Sequence, residues 1–256
     1  MKLIYIFLTN LLLGYSITHV KAQTISFPDE NFKEALIAEG LDANNDGNIQ
    51  KSEIADVKKL HVNNANISSV VGIKNFTNLE NFAFLNNDLK TVDLEGMKNL
   101  KFVYGNGNQI TELKLKGCTM VEVIFMDQNQ LSTVDLTGLT ELRDIRINVN
   151  KLQRIDLSNK PKLEKVQLFR NKLIEFKANG SLELKDIDLS NNLITEVDLR
   201  LFTKLVLVDF TNNPLRKINV TGLSKLETLY CEPISQTSYI TQLNTCGLIS
   251  LKELKW

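Results

Sequence analysis

The sequence predicts an α/β repeat protein. We expect a curved solenoid with a parallel β-sheet on its concave face, a mostly extended or 3₁₀ convex side and a short helical N-terminal cap. Three observations predict it: an apolar pattern that recurs at a constant interval along most of the chain, an asparagine at one fixed place in each unit, and an amphipathic segment with a turn-rich loop before the first unit. Short, constant periods are typical of solenoids, whose units bury their apolar faces against neighbouring units.

Composition excludes several functional classes before any motif is considered. The 256 residues carry 30 basic and 30 acidic side chains, so the formal net charge is zero and no basic surface for nucleic acid is expected. Only two histidines are present, His19 and His61. Histidine supplies most acid-base chemistry near neutral pH, so its scarcity disfavours an enzyme.

Residues 1–22 have the features of a signal peptide. Lys2 precedes an apolar run from Leu3 to Leu13, and the small-x-small pattern ending at Ala22 predicts cleavage before Gln23. The alternative is a membrane anchor, which needs about 20 uninterrupted apolar residues. Polar residues interrupt this run: Thr9, Asn10 and Ser16. We therefore expect a secreted or cell-surface protein without a membrane span.

The repeat units occupy residues 57–231. Units of one constant length begin at Leu79, Leu100, Val121, Leu142, Leu163, Leu184, Leu205 and Leu226, and an earlier unit begins at Val57. The ninth position is asparagine in seven successive units: Asn87, Asn108, Asn129, Asn150, Asn171, Asn192 and Asn213. We expect one short strand at positions 3 to 7, with positions 4 and 6 pointing into the core. The asparagine amide suits the following turn because it both donates to and accepts from unpaired backbone groups.

The pattern L-x-x-L-x-L-x-x-N-x-L resembles the leucine-rich repeat family, and most closely its exported bacterial, internalin-like members. This resemblance implies a curved solenoid and a role in protein binding, often in adhesion or host interaction. Several positions depart from the family pattern, among them the ninth position of the first unit, which is Ala65, and that of the last unit, which lacks the asparagine. Asn159 and Leu201 replace a glycine of the other units, and Ala178 replaces a large core residue.

Residues 23–56 are predicted to form the N-terminal cap. Its helix is expected over Phe27–Ala38, with Pro28, Asp29 and Glu30 in the first turn. One face of this helix is apolar and would cover the open end of the solenoid.

A possible calcium loop follows the cap helix. Residues 42–53 match the EF-hand pattern D-x-[DN]-x-[DN]-G-x₅-E, with Gly47 at the sharp turn. The oxygen ligands would be Asp42, Asn44, Asp46, the Asn48 carbonyl, Gln50 and a bidentate Glu53. The prediction is a structural Ca²⁺, and similar single loops precede the repeats in the proteins that this chain resembles. The alternative is a metal-free turn rich in Asn and Asp.

Residues 232–256 break the repeat register and are predicted to be a C-terminal cap. Export would permit a disulfide between Cys231 and Cys246. The alternative is that Cys231 is a small apolar core residue.

The predicted concave face carries an apolar cluster in two adjacent units, beside one arginine. Its members are Phe102, Tyr104, Val123, Phe125 and Arg146. Aromatic residues and arginine are enriched at binding hot spots, so we expect an extracellular or cell-surface protein partner here.

Other interpretations of this cluster remain. A glycan-binding protein would stack sugars on Tyr104 and Phe125 beside Asp127 and Asp144. The rings could instead pack across strands to stiffen the sheet, or form a homodimer contact. An enzyme would require an untypical site, because no nucleophile or carboxylate pair on this face has a suitable basic partner.

Overall fold

The computed structural model describes residues 23–233 and 240–256, so the predicted signal peptide lies outside the described residues. The described part contains helices α1 (Glu30–Ala38) and α2 (Lys51–Ile54) and a 3₁₀ helix (Ile73–Asn75). It also contains fifteen short strands: β1 (Lys59–His61), β2 (Asn81–Ala83), β3 (Thr91–Asp93), β4 (Phe102–Tyr104), β5 (Glu112–Lys114), β6 (Val123–Phe125), β7 (Asp144–Arg146), β8 (Lys165–Gln167), β9 (Asp186–Asp188), β10 (Glu196–Asp198), β11 (Leu207–Asp209), β12 (Lys217–Asn219), β13 (Thr228–Tyr230), β14 (Gln242–Asn244) and β15 (Glu253–Lys255).

One strand from each unit joins a ten-stranded parallel sheet, here called the front sheet. Its order is β1-β2-β4-β6-β7-β8-β9-β11-β13-β15. The returning segments form two smaller sheets, β3-β5 and β10-β12-β14, which we call the rear sheets. This confirms the predicted parallel-sheet solenoid with a largely extended opposite side.

The core lies between the front and rear sheets. The middle residue of every front strand from β2 to β13 is fully buried, as the predicted alternation requires. Gly105 occupies an inward position because the Phe84 ring fills the space there. A β-carbon on Gly105 would lie 2.3 Å from that ring.

The repeated asparagines form a buried ladder, as predicted. Asn129 represents them: its Nδ2 donates to the Gly105 and Met126 carbonyls at 3.0 and 3.2 Å, and its Oδ1 accepts from the Ile110 N–H at 3.0 Å. Each side chain thereby joins two successive turns of the solenoid. The preceding residue has a left-handed backbone, which in one unit is adopted by a β-branched side chain, Val149 (φ 55°).

The cap helix begins at Glu30, three residues later than predicted, so Phe27 and Pro28 lie outside it. Asp29 precedes helix α1 as its N-cap instead of lying in the first turn. Its Oδ1 accepts from the Phe32 N–H at 2.8 Å, and its Oδ2 accepts from the N–H groups of Ser68 and Ser69 at 2.8 and 2.9 Å. Asp29 precedes the helix because its carboxylate also accepts hydrogen bonds from the first repeat unit, and these bonds hold the cap against that unit.

Residues 240–256, within the predicted C-terminal cap, add a further turn to the solenoid. Strand β14 pairs with β12, and β15 pairs with β13, both in parallel. Cys231 and Cys246 are free thiols. They do not pair because Cys231 is buried behind the front sheet, whereas Cys246 is exposed on the turn after rear strand β14. Among the described residues, no helix is long and apolar enough to cross a membrane.

Candidate binding surface on the front sheet

The register of the front sheet brings the predicted binding residues together. Phe102 pairs with Val123, Tyr104 with Phe125, and Phe125 with Arg146. The Tyr104 and Phe125 ring centroids are 5.3 Å apart, and those of Phe102 and Tyr104 are 6.4 Å apart. We call this group of five residues the aromatic patch.

The aromatic patch is more buried than a freely exposed cluster would be. All five residues are half-buried, because each ring packs against the next. Such pairs contribute roughly 0.5–1.5 kcal/mol beyond their buried area. Tyr104→Ala or Phe125→Ala is therefore expected to lower the free energy of unfolding by about this amount. If the two rings were fully exposed, the same substitutions would leave the melting temperature nearly unchanged.

Arg146 is held in place at the edge of the aromatic patch. Its guanidinium carbon lies 4.2 Å from the centroid of the Phe125 ring, in a cation–π arrangement. Its Nη2 lies 2.9 Å from an Asp144 carboxylate oxygen. These two contacts orient the cation before any partner arrives.

A line of polar side chains runs beside the patch, each two residues after the end of its strand. Asn106 Oδ1 accepts from the Asp127 N–H at 2.8 Å, and Asp127 Oδ1 accepts from the Asn148 N–H at 2.7 Å. Asn148 continues the line by accepting from the Phe169 N–H at 3.0 Å. Sequence analysis missed this second ladder, although polar residues at position 7 of successive units would have revealed it.

Burial sets the electrostatics of two front-face carboxyls. It raises the pKa of Asp127 despite the hydrogen bonds from Asn148. Burial likewise raises the pKa of Asp188, and the nearby charges of Asp209 and Asp186 raise it further. The front face therefore combines aromatic rings and an Arg146–Asp144 ion pair at the patch with a group of carboxyls, Asp186, Asp188 and Asp209, beyond it.

The predicted calcium loop closes on itself through Glu53. One carboxylate oxygen accepts from the Ala43 N–H at 2.9 Å, and the other accepts from the Gln50 N–H at 2.8 Å. At the start of the loop, Asp42 accepts from the Asp46 N–H at 3.1 Å and the Gly47 N–H at 2.8 Å. The first and last carboxylates are thus oriented by the loop backbone.

Amide side chains connect the remaining predicted ligands. Asn44 donates to Gln50 at 3.1 Å, and Gln50 donates to Asp46 at 2.9 Å. Among the described residues, no three His, Cys, Asp or Glu side chains are grouped so as to hold a metal by themselves. A cation in this loop would therefore depend on the neutral oxygens of Asn44, Asn48 and Gln50 as well.

The loop has a backbone partner that sequence analysis missed. The Ile25 N–H donates to the Ile49 carbonyl at 2.9 Å, and the Lys51 N–H donates to the Gln23 carbonyl at 3.0 Å. The segment that precedes α1 therefore pairs antiparallel with the end of the loop. No local sequence signal predicts this contact, because helix α1 and most of the loop separate the two segments along the chain.

No family model and no curated protein sequence match the chain. Several solved structures, however, are similar to the chain. YopM from Yersinia enterocolitica is 23% identical over 69% of the chain, with a TM-score of 0.60. YopM from Yersinia pestis, a leucine-rich effector protein, is 24% identical over 70%, with a TM-score of 0.59. An internalin C2 from Listeria monocytogenes is 19% identical over 79%, with a TM-score of 0.50.

The chain has the leucine-rich repeat fold. Its alignment spans 38% and 51% of the two Yersinia chains and 83% of the internalin. At sequence identities this low, the similarity to these solved structures shows only that the fold is shared. The function must therefore be argued from the residues of the site.

Proposed function

We propose that the chain is a non-enzymatic recognition module that binds a protein partner on the front sheet, with the aromatic patch at the centre of the contact. The observation that carries the proposal is the continuous row Tyr104–Phe125–Arg146, in which two rings and a guanidinium are already packed together. Side chains that are ordered before binding lose less conformational entropy on association. Aromatic residues and arginine also dominate interface hot spots.

Contacts within the patch favour a protein over a glycan. A sugar ring stacks best on an open aromatic face, but Arg146 covers one face of Phe125. The Tyr104 and Phe125 rings are inclined by 55° and so do not form one flat platform. Asp144, which a glycan would use as a hydrogen-bond acceptor, is engaged by Arg146.

The geometry gives little support for catalysis. Two half-buried carboxyls lie beside the patch: Asp144 is paired with Arg146, and Asp127 accepts hydrogen bonds from the backbone and side chain of Asn148. His61 lies on β1, separated from Phe125 on β6 by strands β2 and β4. A general base beside a nucleophile would require a different arrangement.

Export to a secreted or cell-surface location is part of the proposal and depends on residues 1–22. Intact mass measurement of protein recovered outside the cytoplasm tests it. A chain that begins at Gln23 supports export with cleavage. A full-length species in the membrane fraction identifies the segment as an anchor instead.

The second part of the proposal is that Ca²⁺ stabilises the N-terminal cap. Asp42, Asp46 and Glu53 supply charge, and the loop backbone already orients the first and last of them. With three carboxylates and neutral amides, the affinity belongs at the weak, extracellular end of the EF-hand range, about 10⁻⁴ to 10⁻³ M. The role is structural, because the loop joins α1 to the first repeat.

Parallel binding screens separate a protein partner from a glycan partner. Labelled wild-type protein is applied to a glycan array and to extracellular proteins from its native culture, together with the Tyr104→Ala/Phe125→Ala variant. Leu201→Ala is the matched control, since Leu201 is 67% exposed outside the strands of the front sheet. Protein capture that the double variant loses and the control retains supports the proposal. A glycan signal with no protein captured reverses the order of the two candidates.

A further inference from the structure

A cavity of about 280 Å³ opens on the rear side of the solenoid, outside the strands of the front sheet. Two successive turns of the chain line it, through residues 134–140 and residues 156–160. Pockets for drug-sized ligands begin at about 300 Å³, so this cavity suits one small molecule. Its second turn contains Asn159, one of the positions that depart from the repeat pattern.

Lys160 places a buried charge beside this cavity. The corresponding residues one unit earlier and one unit later, Leu139 and Ser181, are buried and uncharged. Lys160 is only 5% exposed, and it lines the cavity. Lysine is rarely buried to this extent unless its charge is paired, so the position calls for a counter-charge.

The polar groups of this turn are incompletely satisfied. Lys160 Nζ donates to the Ser158 carbonyl at 3.2 Å. Within residues 23–233 and 240–256 it forms no ion pair. An ammonium group has three N–H donors, so this carbonyl alone does not satisfy it. Ser158 Oγ is buried and, in the same part of the chain, has no hydrogen-bond partner.

Two carboxylates line the same cavity, and one of them is already neutralised. Asp156 forms an ion pair with Lys177, whereas the ion pairs of the described residues do not include Asp135. Hydrogen bonds from Thr137 lower the pKa of Asp135, and the charge of Lys160 lowers it further. Asp135 and Lys160 are therefore close enough to attract each other but are not in contact, which leaves opposite charges on two sides of one cavity.

We propose that this cavity binds a free α-amino acid as its zwitterion, with the ligand carboxylate at Lys160 and Ser158 and the ligand ammonium group at Asp135. A simple anion is attracted by Lys160 and repelled by Asp135, and a simple cation meets the reverse. A zwitterion satisfies both charges without adding net charge. It also forms charge-assisted hydrogen bonds, which are about twice as strong as those of an uncharged sugar. This site is separate from the aromatic patch and does not depend on the function proposed for it.

A ligand series tests whether both charges are recognised. The purified protein is screened by thermal shift against the twenty standard L-amino acids, and the strongest hits are titrated by calorimetry. At least one should bind with a dissociation constant of about 1 mM or tighter. The N-acetyl and the amide derivatives of that amino acid each lack one charge, and each should bind at least about tenfold more weakly.

Two variants test whether this cavity is the site. Lys160→Met and Asp135→Asn should each weaken binding of the same amino acid at least about tenfold. Methionine occupies the corresponding position of an earlier unit as buried Met97, so Lys160→Met is compatible with the fold. Lys90→Met, at an exposed lysine outside the cavity, is the matched control and should bind as wild type. Thermal melting confirms that each variant is folded.

Three results would overturn the proposal. The first is that no amino acid of the series binds, including the case in which D-glucose or inorganic phosphate binds instead. The second is that the N-acetyl or amide derivative binds as tightly as the parent amino acid. The third is that a folded Lys160→Met or Asp135→Asn variant retains wild-type affinity.

Discussion

At the residue scale, buried asparagines hold successive turns together. Asn129→Ala removes a side chain that hydrogen-bonds to three carbonyls and one N–H, so these backbone groups lose a partner in the core. We expect the free energy of unfolding to fall by roughly 2–4 kcal/mol. Urea unfolding measures it, with Gln109→Ala as an exposed control that should change it by less than about 0.5 kcal/mol. Equal losses of unfolding free energy in both variants would show that the asparagine ladder does not stabilise the fold.

Val149 is a strained residue whose replacement should stabilise the protein. Its φ of 55° is unfavourable for a β-branched side chain, whereas asparagine adopts the same conformation in other units, as at Asn191. Val149→Asn is expected to raise the free energy of unfolding by about 1 kcal/mol. Val206→Asn, at an exposed position without positive φ, should not stabilise. Chemical denaturation of both variants decides whether the strain is real.

Asp127 should make stability depend on pH. Burial raises its pKa above the usual 3.8, so the folded state binds the proton more tightly than the unfolded state does. The cost of the buried charge is absent below about pH 3.8 and increases as pH rises through the folded-state pKa. Asp127→Asn should therefore stabilise the protein at pH 7, and the gain should shrink towards pH 4.

Asp135→Asn is the control for this pH dependence. Hydrogen bonds from Thr137 lower the pKa of Asp135, so its charged form stabilises the folded state and the amide should not increase stability at pH 7. Urea titrations at several pH values measure both variants. If Asp127→Asn raises the free energy of unfolding by the same amount at every pH, burial of the charge is not the cause of the stabilisation.

At the element scale, we expect calcium binding by residues 42–53 to stabilise the N-terminal cap. With a dissociation constant of 10⁻⁴ to 10⁻³ M, about 10 mM calcium should add roughly 1.4–2.7 kcal/mol to the unit that unfolds with the loop. Glu53→Gln should abolish the response, whereas Glu39→Gln, an exposed change at the end of α1, should retain it. Differential scanning calorimetry with calcium and with EDTA measures the shift. Superimposable melting curves in the two conditions would leave the loop as a metal-free turn.

The elements that the sequence predicted well are the strands, which depend on the apolar pattern within each repeat unit. The strands follow from the constant repeat period, and each inward residue follows from alternation within its strand. The final turn was missed because the interval from Leu226 to Leu251 is longer than the interval from Leu205 to Leu226, so the last strand falls outside the fixed period. The antiparallel pairing of Thr24 with Gln50 was also missed, because it joins segments that share no sequence pattern.

At the scale of the whole molecule, regular stacking determines which side chains meet. Sequence predicted that Tyr104, Phe125 and Arg146 are neighbours, because position 5 of each unit forms a lateral row in a parallel sheet. It did not predict their partial burial, which depends on how each ring leans on the next. The ladder through Asp127 and Asn148 could have been predicted, since polar residues recur at position 7 of the successive units that form it.

The central claim is that the aromatic patch binds a protein partner. Once a partner has been captured, its dissociation constant for wild type, Tyr104→Ala and Phe125→Ala tests the claim most directly, by isothermal titration or surface plasmon resonance. Each variant should lose about 2 kcal/mol of binding free energy, roughly a 30-fold weakening, while Leu201→Ala binds as wild type. Dissociation constants within about twofold of wild type for both variants, with lowered stability, would show that the rings only stiffen the sheet.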